Sequence, residues 1–326
     1  MPDSATSGDP PALTDWPDWP EYGLVDDLLP VLERWSVAGR RFALATLVEI
    51  AGASPRPLGA EMAIDERGEC AGYVSGGCVE AEVAREALGV LADGEPRLLD
   101  YGAGSPALDI QLTCGGRIGI LVRTLDDAAG HVAARRAARD ARRVHSERLE
   151  WDIGGRAGVF DQHYPPPTQL VVAGGDPVTL ALARMGTAQG FDVVLLRPRG
   201  PERPPAGIPL AGYDRRPVET ALAGLALDPW CAVYTLTHDI DIDHAVLLHA
   251  LRSPAFCVGA LGSRSKAAVR VERLRADGID EARLSRLHTP AGLPIGGRSP
   301  QQIALSIVAQ VAAEGEAAHA VPATPA

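Results

Sequence analysis

The stretch Leu170-Val171-Val172-Ala173-Gly174-Gly175-Asp176-Pro177-Val178, continuing as TLALARMGTAQGFDVVLL to Leu196, decides the fold. An apolar run ends at a glycine pair, the spacing predicts a helix from about Pro177 to Gln189, and a second apolar run, FDVVLL, follows. This is the layout of a dinucleotide-type βαβ unit. The alternation continues through a helix near 217–225, CAVYTLT, a helix near 241–251, FCVGALG and a helix near 265–276. Alternating strands and helices imply a parallel sheet with right-handed crossovers. The fingerprint inside the layout departs from G-x-G-x-x-G: Asp176 stands where a second glycine would let the backbone approach a pyrophosphate. Asp176-Pro177 instead fits an N-cap followed by proline at the first helical position, and its carboxylate competes for the site a phosphate would use. At the end of the second strand, where an acid ordinarily reads ribose hydroxyls, the chain has Arg197, Pro198 and Arg199, which would suit a phosphorylated ribose. A Rossmann fold that no longer binds a dinucleotide is the alternative.

Upstream, Pro165-Pro166-Pro167 cannot enter a central strand and stiffens a linker, so it marks a boundary. The expected architecture is α/β: an N-terminal mixed α/β domain over 23–160, then a Rossmann-like parallel-sheet domain over 168–315. Residues 1–22 and 316–326 read as mobile tails. In the first domain a helix is predicted over Leu24 to Val37, a buried strand in RRFALATLVEI ending near Ile50, and a turn at Asp65 to Gly68. A helix from about Val79 to Leu91, strands at Leu98 to Tyr101 and Arg117 to Arg123, and a solvated helix in AARRAARDARR follow.

A chain of 326 residues favours two domains over one core. With 46% hydrophobic but only 5% aromatic residues, those cores must be aliphatic. The net charge of -11 opposes general attraction to nucleic acid or an anionic membrane, leaving small ligands and protein partners. Lys266 is the one lysine among 31 basic residues. Five cysteines, at 70, 78, 114, 231 and 257, form no CxxC pair and fit reduced thiols in a reducing, cytoplasmic compartment. The first twenty residues lack a basic and an apolar region, so they do not read as a secretory signal. No apolar run approaches the roughly 20 residues of a membrane span.

Ser75-Gly76-Gly77-Cys78 precedes a predicted helix, which would place Cys78 beside unpaired N–H groups and a positive dipole end that favour a thiolate. Such a thiolate could take up a sulfur atom or contact a soft metal or a dithiolene; the other reading is a small buried residue after a tight turn. Cys114-Gly115-Gly116 repeats the pairing of a thiol with two glycines, and the two loops would form one site if they converge. Cys70, Cys231 and Cys257 lie in or beside strands and read as core residues. At predicted strand ends, where open parallel sheets place ligands, stand Thr237-His238-Asp239, with Asp243 close behind, and Gly262-Ser263-Arg264. Gly262, Ser263 and Arg264, with Lys266, offer N–H groups, a hydroxyl and cations to an anion. His238 could carry a proton or bind a ligand, or be a structural strand-end histidine. No metal site is read, and HExxH, Walker A and GxSxG motifs are absent.

At these residues the chain resembles the xanthine dehydrogenase accessory family, XdhC/CoxI. The matching segments are ATLVEIAGASPRPLGAEMAI, GYVSGGCVEAEV, LTCGG at 112–116, LTHDIDID, FCVGALGSRSK and HTPAGLPIGGRSPQQIALSIVAQ, in order from about residue 40 to 312. The resemblance implies an accessory chaperone that binds molybdenum cofactor (molybdopterin), protects it during sulfuration by a cysteine desulfurase and delivers it to an apo molybdoenzyme. Cys78 and Cys114 match the family's two cysteine-glycine motifs; Gly259, Gly262, Ser263 and Arg264 match its IGLIGSR-like segment. The expected site therefore has Cys78 and Cys114 on the sulfur or molybdenum side, within loops made by Gly76, Gly77, Gly115 and Gly116. The second sheet, with Gly174, Gly175, Gly262, Ser263 and Arg264, would take the pterin phosphate. A homodimer is a further expectation. The departure is Gly174-Gly175-Asp176-Pro177-Val178, where the family shows G-A-G-H-V. One rival is a stand-alone NAD(P)-dependent oxidoreductase in which Arg197 and Arg199 read a ribose phosphate and His238 is acid or base. Another is a degenerate paralogue that only binds a partner.

Overall fold

The computed structural model describes residues 16–102, 104 and 115–319. The chain divides into two compact units, Met1–Pro165 and Pro166–Ala326. In the first, α1 is Leu29–Val37 and β1 is Phe42–Ala51. The helix expected from Leu24 starts at Leu29 because Pro30, harmless in a first turn, would break a helix that had begun earlier. Residues 21–24 form a single 3-10 turn.

β1 is buried along most of its length because both faces are covered, and its side chains sort by parity. Phe42 and Leu44 pack with Leu32 and Trp35 of α1. Ala43, Ala45 and Leu47 face the other way, toward Val83, Ala87 and Val90. The alanines keep that face shallow, so a helix can lie close against it. Each fully buried Leu or Val contributes roughly 1.5–3 kcal/mol.

β2 (Glu61–Asp65), β3 (Cys70–Gly72), α2 (Glu80–Asp93), β4 (Arg97–Gly102) and β5 (Arg117–Thr124) complete an antiparallel sheet of order β3-β2-β1-β5-β4. Its register sets Ala51 and Gly102 both opposite Arg117, and Met62 opposite Gly72. The connections after β1, β3 and β4 therefore leave from one end of the sheet.

After α3 (Ala128–Asp140) comes a feature the sequence reading missed, the hairpin β6 (His145–Ile153) and β7 (Arg156–Tyr164). Leu149, Trp151 and Ile153 alternate, and Gly154-Gly155 turn the chain with φ of 59° and 78°, the left-handed backbone a two-residue hairpin turn requires. Leu149 seats the hairpin on Val48 and Leu121. Two residues expected to belong to the amino-terminal tail also pack here: the rings of Trp16 and Tyr22 lie 5.2 Å apart against the α2 side of the core.

The second unit is a Rossmann-like parallel sheet. Its elements are β8 (Gln169–Ala173), α4 (Pro177–Ala188), β9 (Asp192–Leu196), β10 (Gly212–Asp214), α5 (Val218–Ala223), β11 (Cys231–Thr235), α6 (Ile240–Arg252) and β12 (Cys257–Ala260). They are followed by α7 (Arg264–Ala276), α8 (Glu281–Leu284), β13 (Leu287–His288) and α9 (Pro300–His319). The strand order is β10-β9-β8-β11-β12-β13, so the direction of winding reverses between β8 and β11. Leu170 and Val172 point toward Leu182 of α4 and Ile307 and Val311 of α9, whereas Val171 and Ala173 point toward Val246 and Leu247 of α6. α9 runs on to His319, inside the stretch read as a tail, and the His319 ring stacks on Trp230 at 3.8 Å. Cys231 and Cys257 are fully buried. Burial pushes the Cys257 thiol up to about 12, against the pull of its hydrogen bond with the Tyr234 hydroxyl. Among the described residues no helix is long and apolar enough to cross a membrane.

Candidate functional site

In the first unit the candidate site lies at the sheet end where β1, β3 and β4 release their connections. The Ser75–Cys78 loop is built around Glu80, the first residue of α2, whose side chain folds back beneath it. One carboxylate collects the backbone N–H groups of Val74 (3.3 Å), Ser75 (2.8 Å), Gly76 (3.2 Å), Gly77 (2.9 Å) and Val79 (3.2 Å). The Ser75 hydroxyl donates to the same carboxylate and accepts from the Cys78 N–H at 3.2 Å. Five N–H groups can converge on one anion only because Gly76 and Gly77 adopt φ of 141° and 100°, which side-chain-bearing residues avoid. Burial pushes the Glu80 carboxyl up, but the hydrogen bonds from Ser75 and Gly76 outweigh it and hold the group below the usual carboxylate range.

This corrects the expectation for Cys78. The loop's N–H groups turn inward to Glu80 and do not face the thiol. Cys78 itself is exposed, so the reading as a small buried residue is also set aside. The reach of Glu80 was legible in principle, since a serine before a helix followed by a glutamate in its first turn resembles a capping box. Its spacing differs from that motif.

Two glycine pairs border one stretch of chain, Gly52–Pro55. A methyl on Gly76 would lie 3.3 Å from Pro55 Cγ. Gly116 sits so close to the Ala53 backbone that any side chain there would collide with it. Gly115, beside it, takes φ of 72°. The intervening loop is pinned by Arg56, whose guanidinium lies 4.2 Å over the Tyr73 ring and 2.9 Å from Asp26. Gly76 and Gly116 thus meet the same short segment, at Pro55 and at Ala53. Cys114 lies outside the described residues.

In the second unit the winding reverses between β8 and β11, and sheets of this class place ligands at such a point, beyond the carboxyl ends of the strands. Gly174 and Gly175 follow β8. Asp176 caps α4, accepting from the Thr179 N–H at 2.8 Å and the Thr179 hydroxyl at 2.7 Å. His238 follows β11 with its side chain 86% exposed and its Nε2 3.9 Å from Asp176 Oδ2. Beneath it Asp243 is buried, accepting from Thr235 (2.5 Å) and Thr237 (2.6 Å) and pairing with Arg270 at 2.6 Å, which fixes the β11–α6 turn. After β12, Gly262 leads to Ser263, which caps α7 by accepting from the Lys266 N–H at 3.4 Å. Arg264 opens α7; its side chain lies outside what the structure describes. Gly259 leaves room for the Tyr234 ring and is a packing residue. The singled-out residues thus fall into two sets, one in each unit. Among the described residues no group of three or more His, Cys, Asp or Glu side chains could hold a metal ion.

Residues 35–102 match the model of the XdhC and CoxI family, and residues 170–311 match the XdhC Rossmann domain. The chain belongs to the XdhC/CoxI family. Among its relatives is a protein of Escherichia coli (strain K12) named molybdenum cofactor insertion chaperone PaoD, 30% identical over 90% of this chain and 91% of that one. A probable xanthine dehydrogenase subunit of Bacillus subtilis (strain 168) is 24% identical, with 82% of this chain and 91% of that one covered. A crystal structure from Bacillus halodurans, described as a xanthine dehydrogenase, superposes with a TM-score of 0.76 at 22% identity, covering 91% of this chain and 98% of that one. It shares the fold.

Proposed function

We propose that the protein is a molybdenum-cofactor chaperone that hands its cargo to an apo enzyme of the xanthine-dehydrogenase type. The observation that carries this reading is likeness along nearly the whole chain to a cofactor-insertion chaperone, at 30% identity over 90% of its length. The geometry of the first unit is consistent with it. Cys78 is an exposed thiol on a loop held rigid by Glu80, and a rigid soft donor suits a sulfur-rich molybdenum cargo.

In this reading Cys78, with Cys114, faces the sulfur or molybdenum end of the cargo, and the loops of Gly76, Gly77, Gly115 and Gly116 keep side chains out of its way. Its partners are the molybdoenzyme that receives the cofactor and the cysteine desulfurase that supplies sulfur, and the chain acts as a homodimer. Function in the cytoplasm follows from those partners. The oxidoreductase reading needs a pyrophosphate at the α4 terminus. There the Asp176 carboxylate already takes the Thr179 donors, and a second anion would be repelled.

The test is retention. Purified protein mixed with molybdopterin released from a cofactor-loaded donor should carry the pterin through gel filtration, read as the fluorescence of its oxidised form. Cys78→Ala should retain about tenfold less or lower, the loss expected when a direct ligand goes. No retention by the wild type, or equal retention by the variant, overturns the assignment.

A further inference from the structure

The glycine pair of a Rossmann turn ordinarily exists so that backbone can approach a pyrophosphate. Here both glycines are consumed by the protein's own side chains. A methyl on Gly174 would collide with the Thr179 hydroxyl. A methyl on Gly175 would lie 2.9 Å from Arg197 Cζ and closer still to its Nε. The Arg197 side chain, coming from the end of β9, therefore lies across the turn, flanked on its other side by Gly200, where a methyl would also strike it.

Arg197 is half-buried and makes no ion pair among the described residues. The acids around it are engaged elsewhere. Both carboxylate oxygens of Asp214 are taken by Arg216, at 3.1 and 3.0 Å to Nε and 2.5 Å to the second nitrogen. Asp176 accepts both Thr179 donors on Oδ1, its Oδ2 lies 3.9 Å from His238 Nε2, and the α4 dipole offsets its charge. What remains is a planar cation, fixed by packing against two glycines at the carboxyl end of β9, with its hydrogen-bonding fork unclaimed among the described residues. His238, largely exposed, lies 3.9 Å from the Asp176 carboxylate. A fork of this kind matches a terminal phosphate, whose oxygens accept two parallel N–H donors.

We propose that the second unit binds a phosphomonoester, with Arg197 as the residue that reads it and Gly175 as the residue that lets Arg197 lie there. The helix terminus that would hold a pyrophosphate is closed by Asp176, so the phosphate enters from the side, against the arginine. The same chemistry is borne by the terminal phosphate of a pterin cofactor and by the 2′-phosphate of NADP⁺. Assigning it to the pterin rests on the chaperone reading; the phosphate site itself does not.

Calorimetric titration of the full-length protein separates these. Wild type should bind inorganic phosphate, and Arg197→Gln should weaken that binding by about tenfold or more, the loss of a charge-assisted pair. Gly175→Ala should do the same without removing any charge, because it displaces the guanidinium. Arg197→Lys, which keeps charge but not the fork, should fall between. Circular dichroism confirms that each variant is folded. NADP⁺ bound about tenfold tighter than NAD⁺, with the excess lost in Arg197→Gln, assigns the ribose phosphate. Equal affinity for the two, with pterin retention reduced in Arg197→Gln, assigns the cofactor phosphate. No phosphate binding by wild type, or unchanged binding in both Arg197→Gln and Gly175→Ala, overturns the site. Phosphate binding that depends on Arg197 in a protein that retains no pterin leaves the site standing and removes the chaperone reading; retained pterin with Arg197-independent phosphate binding does the reverse.

Discussion

Glu80 shows how much of the first unit's site hangs on one side chain. It is 1% exposed and its two oxygens share the loop's inward N–H groups, so a glutamine there keeps one acceptor but sets an NH2 donor against the N–H groups that the other oxygen served. Glu80→Gln is expected to cost about 1–3 kcal/mol at pH 7, measured by denaturant unfolding, and to reduce cofactor retention along with stability. The pH dependence has a definite sign. The folded-state pKa of Glu80 lies below its unfolded value, so its contribution is complete above the unfolded carboxylate pKa of about 4.3 and fades as pH falls through the folded value. The difference between wild type and Glu80→Gln should therefore shrink in acid. A constant difference from pH 7 to pH 3 would mean that Glu80 acts by shape and not by charge.

At the scale of elements, α3 and the β6–β7 hairpin are joined to the sheet by a chain of buried polar groups. Glu61 accepts from Thr46 and Tyr164, Arg135 lies 3.8 Å over the Tyr164 ring, and Arg123 pairs with Glu147 at 2.9 Å. His131 packs edge-on to the rings of Tyr164 and His145. Burial, reinforced by the charges of Arg135, Arg123 and His145, brings the His131 pKa down to about 4, despite the Glu147 carboxylate 3.5 Å away. The unfolded imidazole takes up its proton near 6.5 and the folded one does not, so stability is complete above about pH 6.5 and declines as pH falls toward 4. That decline should amount to about 2–3 kcal/mol, and His131→Phe should flatten it. Thermal melts of both proteins from pH 7 to pH 4.5 would show it, and parallel slopes would remove His131 as the cause. This window lies above that of Glu80, so the two effects separate. None of this cluster was legible in sequence. The arginine-rich helix reads as solvated because its charges are visible, while Glu61 and Tyr164, which pair with and cover Arg135, come from strands distant in the chain.

At the scale of the whole molecule, net charge is the property that needs no coordinates. With -11 at pH 7 the field of the protein repels polyanions, so no binding to duplex DNA is expected in a shift assay at about 150 mM salt. Affinity that falls steeply with salt would reveal a basic surface hidden by the net value. The same restriction bears on the phosphate site, where one oriented arginine must act locally against an unfavourable mean field.

The sequence by itself determined the Rossmann-like half, because parallel strands buried on both faces write themselves as apolar runs at regular spacing, and Asp176-Pro177 writes a helix start. It also determined the family, through segments kept in order along the chain. It did not yield the hairpin, whose strands are half-exposed and carry a weak two-residue alternation. Only the tertiary structure decided that the inward N–H groups beside Cys78 belong to Glu80, that Gly76 and Gly116 meet one segment, and that the glycines of the Rossmann turn make room for Thr179 and Arg197. Each of these depends on which atoms fill the space beside a glycine, and a glycine's own code records that space is needed without recording what occupies it.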